Sequence, residues 1–204
     1  MPKVGDLQRM LTGLDGTRYR IPFLLIQGTA MRRGEVVGLK WEDFRADTCT
    51  LIIQRAMVQV KGRVIEKKPK NNKTRVVLLP NYLVEELEAH REYQHSMGWI
   101  TDWIVTNNKG EHMTPYALSS AIRDIRKSAN VTASMHEWRH NQATMLLLKG
   151  VPVKVVSERL GHSNINITQD VYAHVLPQMQ KVAADILDDI WSAEIGVEKG
   201  NKTG

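Results

Sequence analysis

Five groups of side chains in this sequence could do chemistry. In Thr29-Ala30-Met31-Arg32-Arg33-Gly34-Glu35, two adjacent arginines stand just ahead of a carboxylate, at the end of an apolar run. A guanidinium suits phosphate because its planar fork offers two parallel hydrogen bonds, and Glu35 is spaced to hold one guanidinium inward. In His136-Glu137-Trp138-Arg139, an imidazole and a guanidinium lie three residues apart. On a helix they share a face and can reach one anion. Leu160-Gly161-His162-Ser163 reads as a glycine-capped helix end with a histidine projecting from the turn. Tyr172 carries a phenol, a poor nucleophile at its free pKa of about 10. It becomes useful only where cations stabilise its anion or a base takes its proton. Last, seven bases crowd residues 61–75 (Lys61, Arg63, Lys67, Lys68, Lys70, Lys73, Arg75), against Glu66 alone. Singly, each group has an ordinary reading: a surface pair, a helix-face pair, a capping histidine, a core tyrosine, a solvated hairpin.

The elements that would position these groups can be read from periodicity and punctuation. Residues 5–12 and 18–29 read as helices, with Gly13 and Gly16 between them. Arg33 to Phe44 continues as a short helix and a turn. Residues 49–60, rich in β-branched side chains, predict a strand; Lys61-Gly62-Arg63 a turn; and 74–79 a second strand. Asn81 can cap a helix over roughly 81–97, and 103–106 reads as extended. Thr114-Pro115 opens a helix to about 128, with Thr as cap and Pro at the first helical position. The remainder is helical: about 136–149, 152–160, 165–175 and 178–192, with Pro177 separating the last two. The expected fold class is mainly α with one small antiparallel β-sheet (α+β). Residues 193–204 read as a flexible tail.

Charge and composition narrow the setting. The 204 residues carry a formal charge of +6, which favours a polyanion partner without proving one. The last 22 residues are net −3, so residues 1–182 hold +9. The single cysteine, Cys49, rules out an internal disulfide and a Cys-rich zinc module. No signal peptide and no bilayer-length apolar stretch is present, so a cytoplasmic location is expected.

Taken in order, the five groups resemble the tyrosine recombinase family, of the phage integrase type, over most of residues 5–180. The most specific part is His136-x-x-Arg139, then Leu160-Gly161-His162-Ser163, then Thr168-Gln169-Asp170-Val171-Tyr172, with the tyrosine ten residues past the histidine. One small departure is Ala30, where family members commonly have glycine.

The resemblance implies site-specific DNA recombination by a catalytic domain of that fold. Tyr172 would attack a DNA phosphorus and form a 3′-phosphotyrosine link. Arg32 and Arg139 would clamp the phosphate, His162 would add a neutral hydrogen bond, and His136 would assist proton movement near the tyrosine. Glu35 would support Arg32. Lys70, from Lys70-Asn71-Asn72-Lys73-Thr74-Arg75, aligns best with the general acid for the leaving 5′-hydroxyl, with Lys73 and Lys68 left open. Arg33, Lys67, Lys68, Lys73, Arg75 and His140 are expected to contact DNA. No cofactor, metal or ATP is expected, since the covalent link conserves the backbone bond energy. No cluster of carboxylates of the kind metal catalysis uses accompanies these residues.

The expected partner is double-stranded DNA, with a homotetramer on paired sites as the active form and a monomer for the chain alone. Residues 1–192 are expected to be the catalytic domain, with helix 178–192 docking on a neighbour. The DNA-clamping N-terminal domain usual in the family is expected to be absent. Type IB topoisomerase-like relaxation and a non-catalytic DNA-binding relative are the alternatives.

Overall fold

The computed structural model describes residues 2–69, 74–162 and 164–195. Helices α1 (Asp6–Leu14), α2 (Arg20–Thr29) and the short α3 (Arg33–Val36) come first. Helix α2 is apolar all round from Ile21 to Ile26, and every one of those residues is buried. Strands β1 (Phe44–Arg45), β2 (Thr50–Ile53), β3 (Ala56–Val60), β4 (Arg63–Lys67) and β5 (Arg75–Leu78) follow. Helices α4 (Asn81–Ser96), α5 (Pro115–Ser128), α6 (Met135–Leu148), α7 (Val153–Leu160) and α8 (Asn166–Ile195) complete the described chain. Among the described residues no helix is long and apolar enough to cross a membrane.

The expected α+β class holds, but the single sheet does not. The strand expected over 49–60 is cut at Gln54-Arg55, giving a three-stranded antiparallel sheet, β1-β2-β5, and a separate β3-β4 hairpin. The cut has a local cause. The carboxylate of Asp43 is almost fully buried and takes hydrogen bonds from Gln54 Nε2 and Arg55 Nη1, both at 2.6 Å. Two successive side chains turned to one buried acid pull the backbone out of the ladder. In the sheet that remains, Leu51 pairs with Val77 and both face the core, while Val76 and Leu78 are exposed. The extended 103–106 segment makes only isolated bridges, Lys40 with Trp103 and Thr106 with His112.

Helix starts follow their cap chemistry. The Thr114 hydroxyl accepts from Ala117 N at 3.1 Å ahead of Pro115. Ser134 and Glu137 form a reciprocal capping box on α6. The expected Asn81 cap is not made; Pro80 stands at the cap position and Asn81 is already helical. The expected break at Pro177 is also absent, because α8 runs through it. Ala173, whose carbonyl loses its helical N–H there, is exposed, so solvent can replace the missing donor. Of the predicted flexible tail, residues 193–195 are still helical and 196–204 lie outside the described residues.

Two apolar cores form. The larger joins α1 to α5 with the sheet and also takes Trp138 from α6. The smaller holds Ala30, Ala143, Leu147, Val156, Leu160, Val171 and Val175, from the end of α2 and from α6, α7 and α8. Helix α6 belongs to both, with Trp138 edge-on to Phe23 at 5.9 Å between ring centroids. The polar residues of interest line the seam between the two cores.

Candidate active site

Three guanidinium groups meet at the end of α7. An α-helix leaves its last carbonyls without intrahelical donors, and its C-terminus carries partial negative charge. Here Arg75 Nε donates to Arg159 O at 3.3 Å, Arg139 Nη2 donates to Leu160 O, and Arg32 Nη2 donates to Gly161 O at 2.9 Å. Three successive carbonyls thus take three arginines from three other elements: β5, α6 and the start of α3. Gly161 closes the helix in the left-handed region at φ 64°. A Cβ there would come within 2.6 Å of Arg75 Nη1, so glycine serves both the turn and the approach of the arginine.

Glu35 lies under this cluster at 1% exposure. Its Oε2 accepts from Arg32 N at 2.9 Å and from Arg75 Nη2 at 2.7 Å. Its Oε1 accepts from Arg32 Nη1 at 3.2 Å and from Arg75 Nη1 at 3.0 Å. Burial disfavours the charged carboxyl, but the hydrogen bonds and charge of Arg75, then Arg32, hold it below the usual carboxylate range.

Arg139 is buried and also donates to Ala30 O. Burial, then the charges of Arg32 and Arg75, lower its pKa to about 9, so it stays cationic at neutral pH. Ala30 itself sits at φ 55°, the left-handed C-cap of α2, which is the physical reason a glycine suits that position.

His162 follows directly. Its Nδ1 lies 2.8 Å from Thr168 Oγ1, so Nε2 is the ring nitrogen left for the cleft. Burial and the surrounding positive charges of Arg139, Arg32 and Arg75 push its pKa down to about 4, leaving the ring neutral at pH 7. His136, exposed, stands in the first turn of α6, between the two members of the capping box, Ser134 and Glu137.

These groups line an open cleft of about 690 Å³ that contains Arg32, Arg33, His136, Arg139 and His162. Arg123 and Arg126 of α5 and Ser119 and Ser134 line it as well, and among the described residues no carboxylate does. The α5 arginines were not anticipated. Their signal was present as Arg123-Asp124-Ile125-Arg126, two bases three apart on one helix face. A second groove of about 610 Å³ adjoins it, lined by Arg32, Arg33, Lys67, Lys68 and Tyr116 among others. Among the described residues, no group of three or more His, Cys, Asp or Glu is placed to hold a metal ion.

Not every expected residue joins the cleft. Tyr172 is half-buried, with its ring against the smaller core, and it lines neither the cleft nor the small pocket beside it. The face of α8 that does reach that pocket is Ile167, Asp170, Val171 and His174, opposite His136, Arg139 and His140. Arg75, expected among the DNA contacts, is turned inward on Glu35. A buried carboxylate outcompetes solvent for it. Lys70 and Lys73 lie outside the described residues.

A basic cleft holding Arg32, the His136–Arg139 pair and His162 matches the order of motifs in one family, and the comparison of sequences decides it. The model of the phage integrase family matches residues 6–179. The chain belongs to the phage integrase family. Among its relatives in that family, a tyrosine recombinase XerC-like protein of Caldanaerobacter subterraneus subsp. tengcongensis is 34% identical over 207 residues, covering 91% of this chain and 53% of that protein. The ICEBs1 integrase of Bacillus subtilis is 27% identical, covering 85% of this chain and 48% of that one. The chain therefore spans about half the length of these phage integrase relatives. In fold, it is similar to the Tn1549 transposon integrase in complex with transposon right end DNA, with a TM-score of 0.80 at 18% identity, covering 92% of this chain and 66% of that one. XerH site-specific recombinase bound to a palindromic difH substrate is 25% identical, with a TM-score of 0.64, covering 90% of this chain and 52% of that one.

Proposed function

We propose that this chain is the DNA breaking-and-rejoining part of a site-specific recombinase. The observation that carries the reading is the cleft itself: among the described residues, five arginines and two histidines line it without a carboxylate. Such a site is built to receive a phosphodiester and to stabilise the charge that gathers on its non-bridging oxygens. The relatives named above as recombinases and integrases, and the fold shared with an integrase solved on DNA, support the same substrate.

In this reading, Arg32 and Arg139 hold the two non-bridging oxygens. Both guanidinium groups are already fixed by carbonyls, so little orientation is lost when phosphate binds. His162, neutral and backed by Thr168, adds a hydrogen bond without adding charge. Tyr172 attacks phosphorus through its phenol oxygen while His136 takes the phenolic proton, the 5′-oxygen leaves, and Lys70 protonates it. The P–O bond formed to tyrosine replaces the P–O bond broken, so reversal by a 5′-hydroxyl reseals a strand. Arg33, Lys67 and Lys68 track the flanking backbone along the second groove.

The position of Tyr172 adds a condition. Its ring faces the smaller core, so the first turns of α8 must reorient for it to reach a phosphate. The rest of α8 supplies a reason to move. Val182, Ile186, Leu187, Ile190 and Trp191 are all 47–56% exposed, an apolar stripe left uncovered among the described residues. Docking of that stripe on a neighbouring subunit, on paired DNA sites, would link assembly to presentation of the tyrosine.

The test is a DNA duplex nicked beside the scissile phosphate, which traps the covalent intermediate because the short 5′ fragment diffuses away. Denaturing gels should show a protein–DNA adduct with the unsubstituted chain and none with Tyr172→Phe. Absence of adduct with a panel of recombination-site duplexes, in the face of measurable binding, would favour the non-catalytic relative.

A further inference from the structure

We propose that Arg75 is a positioning residue that keeps Arg32 available to the phosphate by occupying Glu35. The inference rests on the reading of the cleft as a phosphodiester site and adds a role that the family motifs do not assign.

Two guanidinium groups compete for one carboxylate. Glu35 has four hydrogen-bond contacts and almost no solvent exposure, so each of its lone pairs must find a donor inside the protein. Arg75 meets it as a fork, at 2.7 and 3.0 Å, the bidentate geometry that guanidinium and carboxylate share. Arg32 therefore gives Glu35 only one side-chain N–H, at 3.2 Å, plus its backbone N–H. A second side-chain N–H goes to Gly161 O. A guanidinium has five N–H groups, so three have no partner among the described residues on the side chain that lines the cleft.

Removal of Arg75 changes the balance. Glu35 would then have a single cationic partner and two unfilled acceptor positions. Arg32 is the nearest donor, and forking onto Glu35 would draw its guanidinium out of the cleft. Arg75 is anchored for its task from both sides. Its Nε holds Arg159 O, while Arg159 reaches back to Leu78 O at 3.0 Å, stitching β5 to α7 in both directions. Arg75 also opens β5, directly after the segment that carries Lys70 and Lys73. The charged groups around Glu35 are Arg32 from the cap of α3, Arg75 from β5 and Arg139 from α6; His162, from the turn after α7, faces the same three arginines.

The experiment compares the full chain with Arg75→Gln, Arg75→Lys, Glu35→Gln and the Arg75→Gln/Glu35→Gln pair on the nicked duplex. Rate of adduct formation, DNA affinity against salt, and thermal melting are measured together. Arg75→Gln should lower the adduct rate about 10²-fold, the cost of misplacing a catalytic group. It should leave the slope of log affinity against log salt unchanged. The doubly substituted chain should recover at least tenfold of that loss, because a neutral amide no longer draws Arg32 in. Acidification from pH 8 to pH 6 should also speed Arg75→Gln relative to the parent, as Glu35, freed of its forked partner, begins to take a proton. Arg75→Lys keeps the charge and the fold but not the fork, and should lose rate with little change in melting. If Arg75→Gln does not fold, that lysine variant carries the test.

A salt slope shallower by about one unit would make Arg75 a phosphate contact and overturn the proposal. So would a rate loss that neither Glu35→Gln nor acid relieves, or an unchanged rate in both Arg75 variants. Failure of the parent chain to form adduct would instead overturn the recombinase reading.

Discussion

His162 and Thr168 are joined at 2.8 Å between Nδ1 and the hydroxyl, and Thr168 has no solvent exposure. The pair locks the imidazole against the start of α8 while burial and three neighbouring arginines keep it neutral. A histidine of pKa about 4 in the folded chain, against about 6.5 when unfolded, binds fewer protons than the unfolded form between those values. Stability attached to this group is present above about pH 6.5 and is lost as pH falls toward 4. The unsubstituted chain should therefore lose more melting temperature from pH 7 to pH 5 than His162→Gln does. Equal losses in the two proteins would show that the ring is not held neutral.

Arg32→Ala and Arg139→Ala should each slow adduct formation by about 10²–10³-fold, as for a removed transition-state donor. The double replacement should fall short of the product, because both arginines serve one phosphate. Their stabilities should differ. Arg139→Ala leaves Ala30 O and Leu160 O without their donor, at a cost on the order of 3 kcal/mol. Arg32→Ala leaves Glu35 still forked by Arg75 and should cost on the order of 1 kcal/mol. Chemical denaturation of the two variants measures this, and the reverse order would contradict the hydrogen-bond scheme.

Ala30→Gly should be neutral or stabilising by up to about 1 kcal/mol, unlike an ordinary buried Ala→Gly. The left-handed backbone at φ 55° costs an alanine about 1–2 kcal/mol, against about 0.5–1 kcal/mol for the extra freedom of unfolded glycine. A melting temperature lowered by several degrees would show that the methyl group's packing in the smaller core outweighs the strain.

Binding to duplex DNA should weaken steeply with salt, with a log–log slope near roughly −4.5 if about five phosphates are neutralised. Lys67→Ala and Lys68→Ala should each flatten that slope by about 0.9 and weaken all DNA sequences alike. Fluorescence anisotropy between ~50 and ~200 mM salt reads this directly. A slope that ignores both lysines would remove the second groove from the DNA path.

Leu187→Ser with Trp191→Ala should reduce cooperative occupancy of paired sites but not the melting temperature, since both residues are about half exposed. Gel shifts on one-site and two-site DNA provide the comparison. A large drop in melting temperature would mean that the stripe is covered by its own domain in solution.

What the amino-acid sequence determined by itself was local. Caps and breakers set the starts of α5 and α6 and the end of α7, because a Thr, a Ser or a Gly acts on backbone groups within four residues. The motif order placed Arg32, His136, Arg139 and His162, which the structure brings to one cleft, because each stands at a fixed short spacing from the others of its motif. Tertiary structure decided what depended on competition between distant partners. Arg75 reads as one base among seven in a hairpin, and only a buried carboxylate 40 positions away turns it inward. Residues 49–60 are rich in β-branched side chains, yet the buried Asp43 draws Gln54 and Arg55 out of the ladder and the strand is cut there. Pro177 reads as a stop, yet an exposed turn tolerates the lost hydrogen bond. The convergence of residues 32, 75 and 139 on three neighbouring carbonyls has no short-range signal at all. It exists because a helix end needs donors, and the fold delivers three from elsewhere in the chain.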